Sequence, residues 1–348
     1  MSTMDRRIMA RRLALTAAAA VMLVLGCADR GEPSREAAAG DVQPAAEGRS
    51  NYEGNQWQVV RPGEHAQYNQ RQSLLYRGQE VYNLYCVGCH GERGDGKGPA
   101  AERLITQPRD FTSGIYKFRS TDSTSLPMES DLHRTITRGL SRVSMPAFPH
   151  VSEHDKLAVI QYIKSFYPQW DAEAPQRKLV YVPRPAHDLM HAYRVRRGEL
   201  VYIAAVCASC HCTDARGTGA TQVAYTDAWG HPQRPFDFTA GRLKGGDDPE
   251  DIYRTFHTGL RSIMPQYGAA SMLPINQQML RAQVDSERLA AFEALLATFP
   301  ETGQDAAALP DSEQRALVER NSWDLVAYVL SLRRGDTDQA SDSGSSVP

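Results

Sequence analysis

The sequence predicts an all-α protein in which one helical module of about 120 residues is written twice. Three observations carry that expectation. A Cys-x-x-Cys-His pentapeptide stands at Cys86-Val87-Gly88-Cys89-His90 and again at Cys207-Ala208-Ser209-Cys210-His211. Each is followed some fifty residues later by a Met-Pro pair, Met145-Pro146 and Met264-Pro265. Around these landmarks, short matching strings recur in the same order in both halves.

Taken from the start, the chain opens with Arg6, Arg7, Arg11 and Arg12, then runs from Leu13 to Leu25 with Thr16 as its sole polar residue. A basic start before a short apolar run is a secretory signal, and the run falls short of the roughly 17–25 residues of a membrane-spanning helix. Val24-Leu25-Gly26-Cys27 resembles a bacterial lipoprotein cleavage box, which implies Cys27 as the lipidated new N-terminus. Because Leu25 is bulky for such a box, an uncleaved signal anchor stays open beside it. Both routes give a segment 1–27 that ties the chain to a membrane on the periplasmic side of a bacterial cell envelope. Residues 28–64, with Glu32-Pro33 and little apolar periodicity, read as a flexible tether.

The pentapeptides carry the chemistry. On a helix, positions i, i+3 and i+4 share a face, so two thiols can form thioethers with haem vinyl groups while the adjoining histidine reaches iron. Cys86 and Cys89, and Cys207 and Cys210, are therefore expected to attach two haem c groups, with His90 and His211 as axial ligands. Met145 and Met264 would supply the opposite ligand, a thioether that raises the reduction potential. A four-cysteine zinc site needs its pairs roughly 15–20 residues apart, whereas these lie more than a hundred apart. A dithiol redox centre explains the cysteines but not the recurring histidine and Met-Pro pair. His133, His150, His154, His231, His257, Met128, Met272 and Met279 are alternative ligands that do not recur at one aligned place. Cys212, the cysteine left over, reads as a small packed side chain.

The repeat is dense. Arg77-Gly78, Val81 and Tyr82 return as Arg197-Gly198, Val201 and Tyr202; Pro108 and Asp110-Phe111-Thr112 return as Pro235 and Asp237-Phe238-Thr239. Asp131, Arg134-Thr135 and Gly139-Leu140 return as Asp251, Arg254-Thr255 and Gly259-Leu260. Each half closes on a helix, from Leu157 to Phe166 and from Leu325 to Leu332. In the first, Ser152 can cap with Asp155, and Leu157, Ile160, Ile163 and Phe166 form one apolar stripe.

Each half thus resembles a class I cytochrome c, which implies two tandem domains, each a small helical bundle wrapped around one covalently bound haem. The implied boundaries are 65–170 for the first domain, 171–190 for a proline-containing linker and 191–335 for the second, with an insertion at about 268–318 and a disordered tail at 336–348. Glycine inside a helix costs roughly 1 kcal/mol relative to alanine, so the recurrence of Gly78 and Gly198 points to the close helix crossing of that family. The resemblance also implies that the carbonyl at Gly98-Pro99 accepts the His90 N–H, with Gly217, Gly219 and Ala220 as a proline-free counterpart. Tyr116, Lys117 and Arg119, and in the second half Arg242 and Lys244, are candidates for the haem propionates. The insertion carries a helical pattern, Leu289, Phe292, Leu295, Leu296 and Phe299, stopped at Pro300; it packs on its own domain or docks a partner.

A formal net charge of −2 carries no nucleic-acid signature. The expectation is an electron carrier and not an enzyme: a membrane-tethered, periplasmic dihaem cytochrome c that relays single electrons between redox protein partners. The alternative is a dihaem cytochrome c peroxidase, which would need one iron with an open position. A permanent subunit of a larger redox complex is a third reading.

Overall fold

The computed structural model describes residues 64–218, 225–261 and 264–342. The signal, Cys27 and the tether up to residue 63 lie outside the described residues, as do Gly219 and Ala220. Among the described residues no helix is long and apolar enough to cross a membrane.

The N-terminal half runs α1 Glu64–Tyr85, α2 Val87–His90, α3 Glu129–Arg138, α4 Glu153–Ser165 and α5 Trp170–Glu173. Helix α1 crosses α4 at Gly78, where a side-chain carbon would overlap the carbonyl oxygen of Ala158 and lie 2.9 Å from Tyr162 Cβ. Four residues on, Tyr82 is fully buried against Tyr162 and Phe166, with ring centroids 5.3 and 5.2 Å away, and its hydroxyl donates to Gly91 O at 2.8 Å. Ser152 Oγ accepts from Asp155 N at 3.1 Å, so α4 starts where the capping pair predicts. The stripe differs in one member: Val159, Ile160 and Ile163 are buried, whereas Leu157 is 48% exposed. The crossing at Ala158 rotates the buried face toward position 159 and leaves Leu157 on the outer side.

The C-terminal half repeats the plan with α6 Ala192–Ala204, α7 Ala208–His211, α8 Pro249–Thr258 and a long closing helix, and it adds a two-stranded antiparallel hairpin of β1 Tyr225–Thr226 and β2 Pro232–Gln233. Four short helices precede the closing one: α9 Ala269–Met272, α10 Gln277–Gln283, α11 Ser286–Leu296 and α12 Gly303–Ala308. The closing helix, α13, spans Asp311–Asp342 and so takes in the last part of the expected insertion. It continues past Asp336 as far as Asp342. At Gly198 a side-chain carbon would overlap the backbone carbonyl of Asp324 and lie 2.9 Å from Tyr328 Cβ, in the same relation as Gly78 to Ala158 and Tyr162. Tyr202 sits 5.2 Å from Tyr328 and donates to Cys212 O at 2.8 Å.

The insertion packs inward. Met272, Ile275, Leu280, Phe292, Leu296 and Phe299 are buried in one cluster with Leu200, Trp323 and Val326. The linker is strapped down and does not stand free: Asp122 N donates to Lys178 O at 2.8 Å, Val180 N to Ser120 O at 2.9 Å, and Arg177 to Pro127 O at 2.8 Å. The halves themselves touch. Arg119, 1% exposed, reaches Thr258 O at 2.6 Å, Ser123 N reaches Gln266 at 3.0 Å, and Arg138 bridges to Asp251 at 3.0 Å.

Candidate functional site

Each pentapeptide occupies one helical turn that directly follows the long helix of its half, α2 after α1 and α7 after α6. The turn places the two cysteines and the histidine together on the wall of a cavity of about 1350 Å³. That volume exceeds the roughly 300–1,000 Å³ of a single small-molecule pocket. Its lining includes Cys86, Cys89, His90 and Met145 from one half, and Cys207, Cys210, His211 and Met264 from the other. None of the four pentapeptide cysteines is in a disulfide. Burial pushes the Cys86 and Cys207 thiols up to about 12, which holds them as thiols and not as the reactive thiolates of a dithiol centre.

The proximal histidines are held alike. His90 Nδ1 pairs with Arg109 O at 3.0 Å and His211 Nδ1 with Phe236 O at 2.9 Å, which leaves each Nε2 to coordinate. Desolvation lowers the pKa of both rings, keeping them neutral as a metal requires. A phenylalanine stacks on each, Phe111 at 4.5 Å from His90 and Phe238 at 4.4 Å from His211. Behind them, Phe111 N donates to Gly94 O at 2.7 Å and Phe238 N to Ala215 O at 2.9 Å.

The acceptors correct the expectation at Pro99. In place of the Gly98-Pro99 carbonyl, the residues after Pro108 and Pro235 serve, and both prolines recur in the repeat. Gly98 instead packs under the turn, its N–H donating to Cys89 O at 3.0 Å. Gly96 and Gly217 bring these prolines close: a side-chain carbon on either would lie 2.7 Å from the proline carbonyl oxygen, at a φ of +77° or +70°.

The methionine loops are also pinned alike. Leu140 N donates to Met145 O at 3.0 Å, and Leu260 N to Met264 O at 3.2 Å. Phe148 N then returns to Ile136 O at 3.0 Å, and Tyr267 N to Phe256 O at 2.8 Å. Of the alternative ligands, His231 lines the cavity, whereas His133, His150, His154, Met128, Met272 and Met279 are not part of its wall. His257 is also absent from the wall; it is buried with Nε2 at 2.9 Å from Ser322 Oγ. Cys212 holds the place of Gly91, with φ +61° and its carbonyl taken by Tyr202.

The cavity wall fits an acidic, largely apolar guest. Tyr116 is 6% exposed, and its buried hydroxyl has no partner among the described residues. Arg109, Lys117 and Lys244 line the same space, and burial lowers the pKa of each, that of Arg109 to about 10. Buried cations and an unpartnered hydroxyl are the groups that carboxylates such as haem propionates satisfy. Three expected contacts are engaged within the protein: Lys117, though on the wall, pairs with Asp227 at 2.9 Å. Arg119 gives its guanidinium to the carbonyls of Tyr116 and Thr258 at 2.7 and 2.6 Å, and Arg242, on the surface, pairs with Asp247 at 2.9 Å. Sequence reasoning missed Arg109, whose counterpart in the other half is Phe236, so the repeat does not mark it.

Comparison with curated proteins returns no match. Residues 74–163 match the family described as cytochrome C oxidase, cbb3-type, subunit III. Among solved structures the chain is similar to a chain of the Kuenenia stuttgartiensis reducing HAO-like protein complex Kustc0457/Kustc0458. The two are 30% identical with a TM-score of 0.55, over 74% of this chain and 96% of that one. With that identity over nearly the whole of the matched chain, and with histidine, cysteines and methionine gathered on one haem-sized wall, this chain belongs to the cytochrome c family and has a haem electron-transfer role.

Proposed function

We propose that the chain is a dihaem cytochrome c of two tandem class I modules, tethered to a membrane at its N-terminus and relaying single electrons between protein partners on the periplasmic side. The observation that carries this reading is the shared cavity, in which both sets of cysteines, histidine and methionine line one continuous space. Bound at each pentapeptide, haem supplies a one-electron couple. The protein's part is to hold it. Cys86 and Cys89, and Cys207 and Cys210, anchor the two groups. His90 and Met145, and His211 and Met264, would ligate the irons. The carbonyls of Arg109 and Phe236 orient the imidazoles. The wall offers a histidine and a methionine for each haem, and two such ligands per iron would leave no open position for a substrate, which supports a carrier over a peroxidase.

A spectroscopic redox titration of the purified protein tests this. Two low-spin haems per chain, each with the methionine-to-ferric-iron band, are expected. A high-spin haem that binds carbon monoxide or peroxide at rest would favour the dihaem peroxidase instead.

The likeness to a chain of a multi-protein redox complex supports a second reading of the partners, in which this chain works as a bound subunit. Co-purification from the native membrane distinguishes a stable complex from a free-standing relay.

A further inference from the structure

One contact ties the iron site of the N-terminal half to the other half of the molecule. Arg109 acts at both ends: its carbonyl accepts from His90 Nδ1 at 3.0 Å, and its guanidinium lies 3.4 Å from the centroid of Trp229, on the hairpin of the C-terminal half. Trp229 is itself fixed. Its indole N–H donates to Ser113 Oγ at 3.2 Å, and its backbone N–H donates to Asp227 Oδ1 at 3.0 Å. Asp227 is buried; it also accepts from His231 N at 3.0 Å and from Lys117 Nζ at 2.9 Å. Lys117 reaches Gln233 at 3.2 Å as well. The hairpin is therefore pinned to the N-terminal half on both sides of Trp229, and the indole face is held under Arg109.

We propose that Trp229 is a positioning residue for the N-terminal haem, acting through Arg109, so that the potential of one haem is set by a side chain from the other half. The proposal rests on the reading of one haem at each pentapeptide. A cation over an aromatic face in a poorly hydrated place is held more firmly than one in water. A cation fixed beside an iron site opposes the charge of the ferric state and favours the ferrous one. Its backbone, held by the same stack, keeps the carbonyl on the imidazole N–H, and such partners tune a bound metal. Loss of the stack therefore lowers the potential of the N-terminal haem. In the C-terminal half the roles differ: the residue whose carbonyl takes His211 is Phe236, so the proximal segment carries the aromatic face and the cation, Arg142 from the other half, lies farther off at 5.7 Å from the ring centroid.

The test is a potentiometric titration of the full-length, haem-loaded protein, its two waves assigned beforehand by Met145→His and Met264→His, each of which lowers its own wave. Trp229→Leu is expected to shift the N-terminal wave downward and leave the other in place. Trp229→Phe keeps an aromatic face and retains most of the wild-type potential of that wave. In an Arg109→Gln background, Trp229→Leu adds nothing further. The proposal is overturned by an unmoved N-terminal wave, by equal shifts of both waves, by Trp229→Phe behaving as Trp229→Leu, or by additive effects in the double variant. Should Trp229→Leu fail to load both haems, Arg109→Lys takes its place, since it keeps the charge and removes the planar stack. The same selective lowering is then expected, and an unmoved wave overturns the proposal. A wild-type chain with fewer than two haems overturns the underlying reading as well; two haems with an unmoved wave overturn this inference alone.

Discussion

Arg197 and Asp324 form an ion pair at 2.6 Å with neither side chain exposed, directly beside the crossing of α6 and α13. The aligned arginine of the other half, Arg77, meets Asp155 at 2.7 Å with its side chain 46% exposed. The difference comes from the insertion. Phe299 lies 3.9 Å over the Arg197 guanidinium and Thr298 Oγ1 takes its Nε–H at 3.0 Å, so α11 and the turn after it cover the crossing that is open in the N-terminal half. Removing one partner of a buried pair strands the other charge. Asp324→Ala is therefore expected to destabilise the C-terminal half by about 3–5 kcal/mol, while Arg77→Ala leaves the denaturation midpoint nearly unchanged. The double variant Arg197→Met/Asp324→Ala should recover most of the loss. Denaturant unfolding of the three variants checks this, and a mild Asp324→Ala would show that the pair is hydrated.

His257, which is not part of the cavity wall, is expected to give the molecule a pH dependence. It is 7% exposed, stacked on Tyr253 at 4.2 Å and near Phe256 at 4.6 Å, and desolvation lowers its pKa to about 4 from the ordinary 6.5. Because the folded value is the lower one, the unfolded chain binds the extra proton between those two pH values. Stability is thus full above pH 6.5 and declines as pH falls toward 4, by about 3 kcal/mol over the interval. His257→Gln should flatten that part of the curve. Unfolding midpoints of both proteins at pH 7 and 4.5 measure it, and equal slopes would exclude His257 as the source.

Gly96 and Gly217 are expected to tolerate no side chain. Each combines a positive φ with a 2.7 Å approach to a proline carbonyl, and a β-carbon there strains the backbone by roughly 1–3 kcal/mol. The strain falls on the segment that carries the proximal carbonyl. Gly96→Ala should lower haem content or potential at the first pentapeptide and spare the second, with the reverse for Gly217→Ala. Haem-to-protein ratios and a redox titration read both effects.

The parts legible in the sequence are those that recur. Gly78 and Gly198, Tyr82 and Tyr202, and the two Met-Pro pairs stand at matched places, and each holds the same position in both halves. What escaped is long-range or unpaired. The bond from His90 to Arg109 O crosses nineteen residues to a backbone atom, so no side-chain type marks it, and a proline nearer in sequence drew the expectation. Arg109 and Trp229 have no repeat to reveal them. Leu157 fits a helical stripe by spacing, yet the position of the crossing decides which edge of that stripe is covered.

The methionines offer the sharpest contrast, because burial and ligation make opposite demands on the same residue type. Met272 is 0% exposed inside the insertion core, its carbonyl taken by Asn321 at 2.8 Å, and it is not part of the cavity wall. Met264 and Met145 are on that wall, each followed by proline and each with its carbonyl held by a leucine N–H. Met272→Ala is thus expected to cost about 2–5 kcal/mol of stability, as for a core truncation, and to leave both methionine-to-ferric-iron bands intact. Met264→Ala should do the converse: it removes the band of one haem and lowers its potential, with a smaller loss of stability than Met272→Ala, because Met264 is only partly buried against the core. Met145→Ala should remove the other band. Near-infrared spectra of the ferric variants decide the assignment. A band that survives Met264→Ala and disappears in Met272→Ala would move the axial ligand into the insertion.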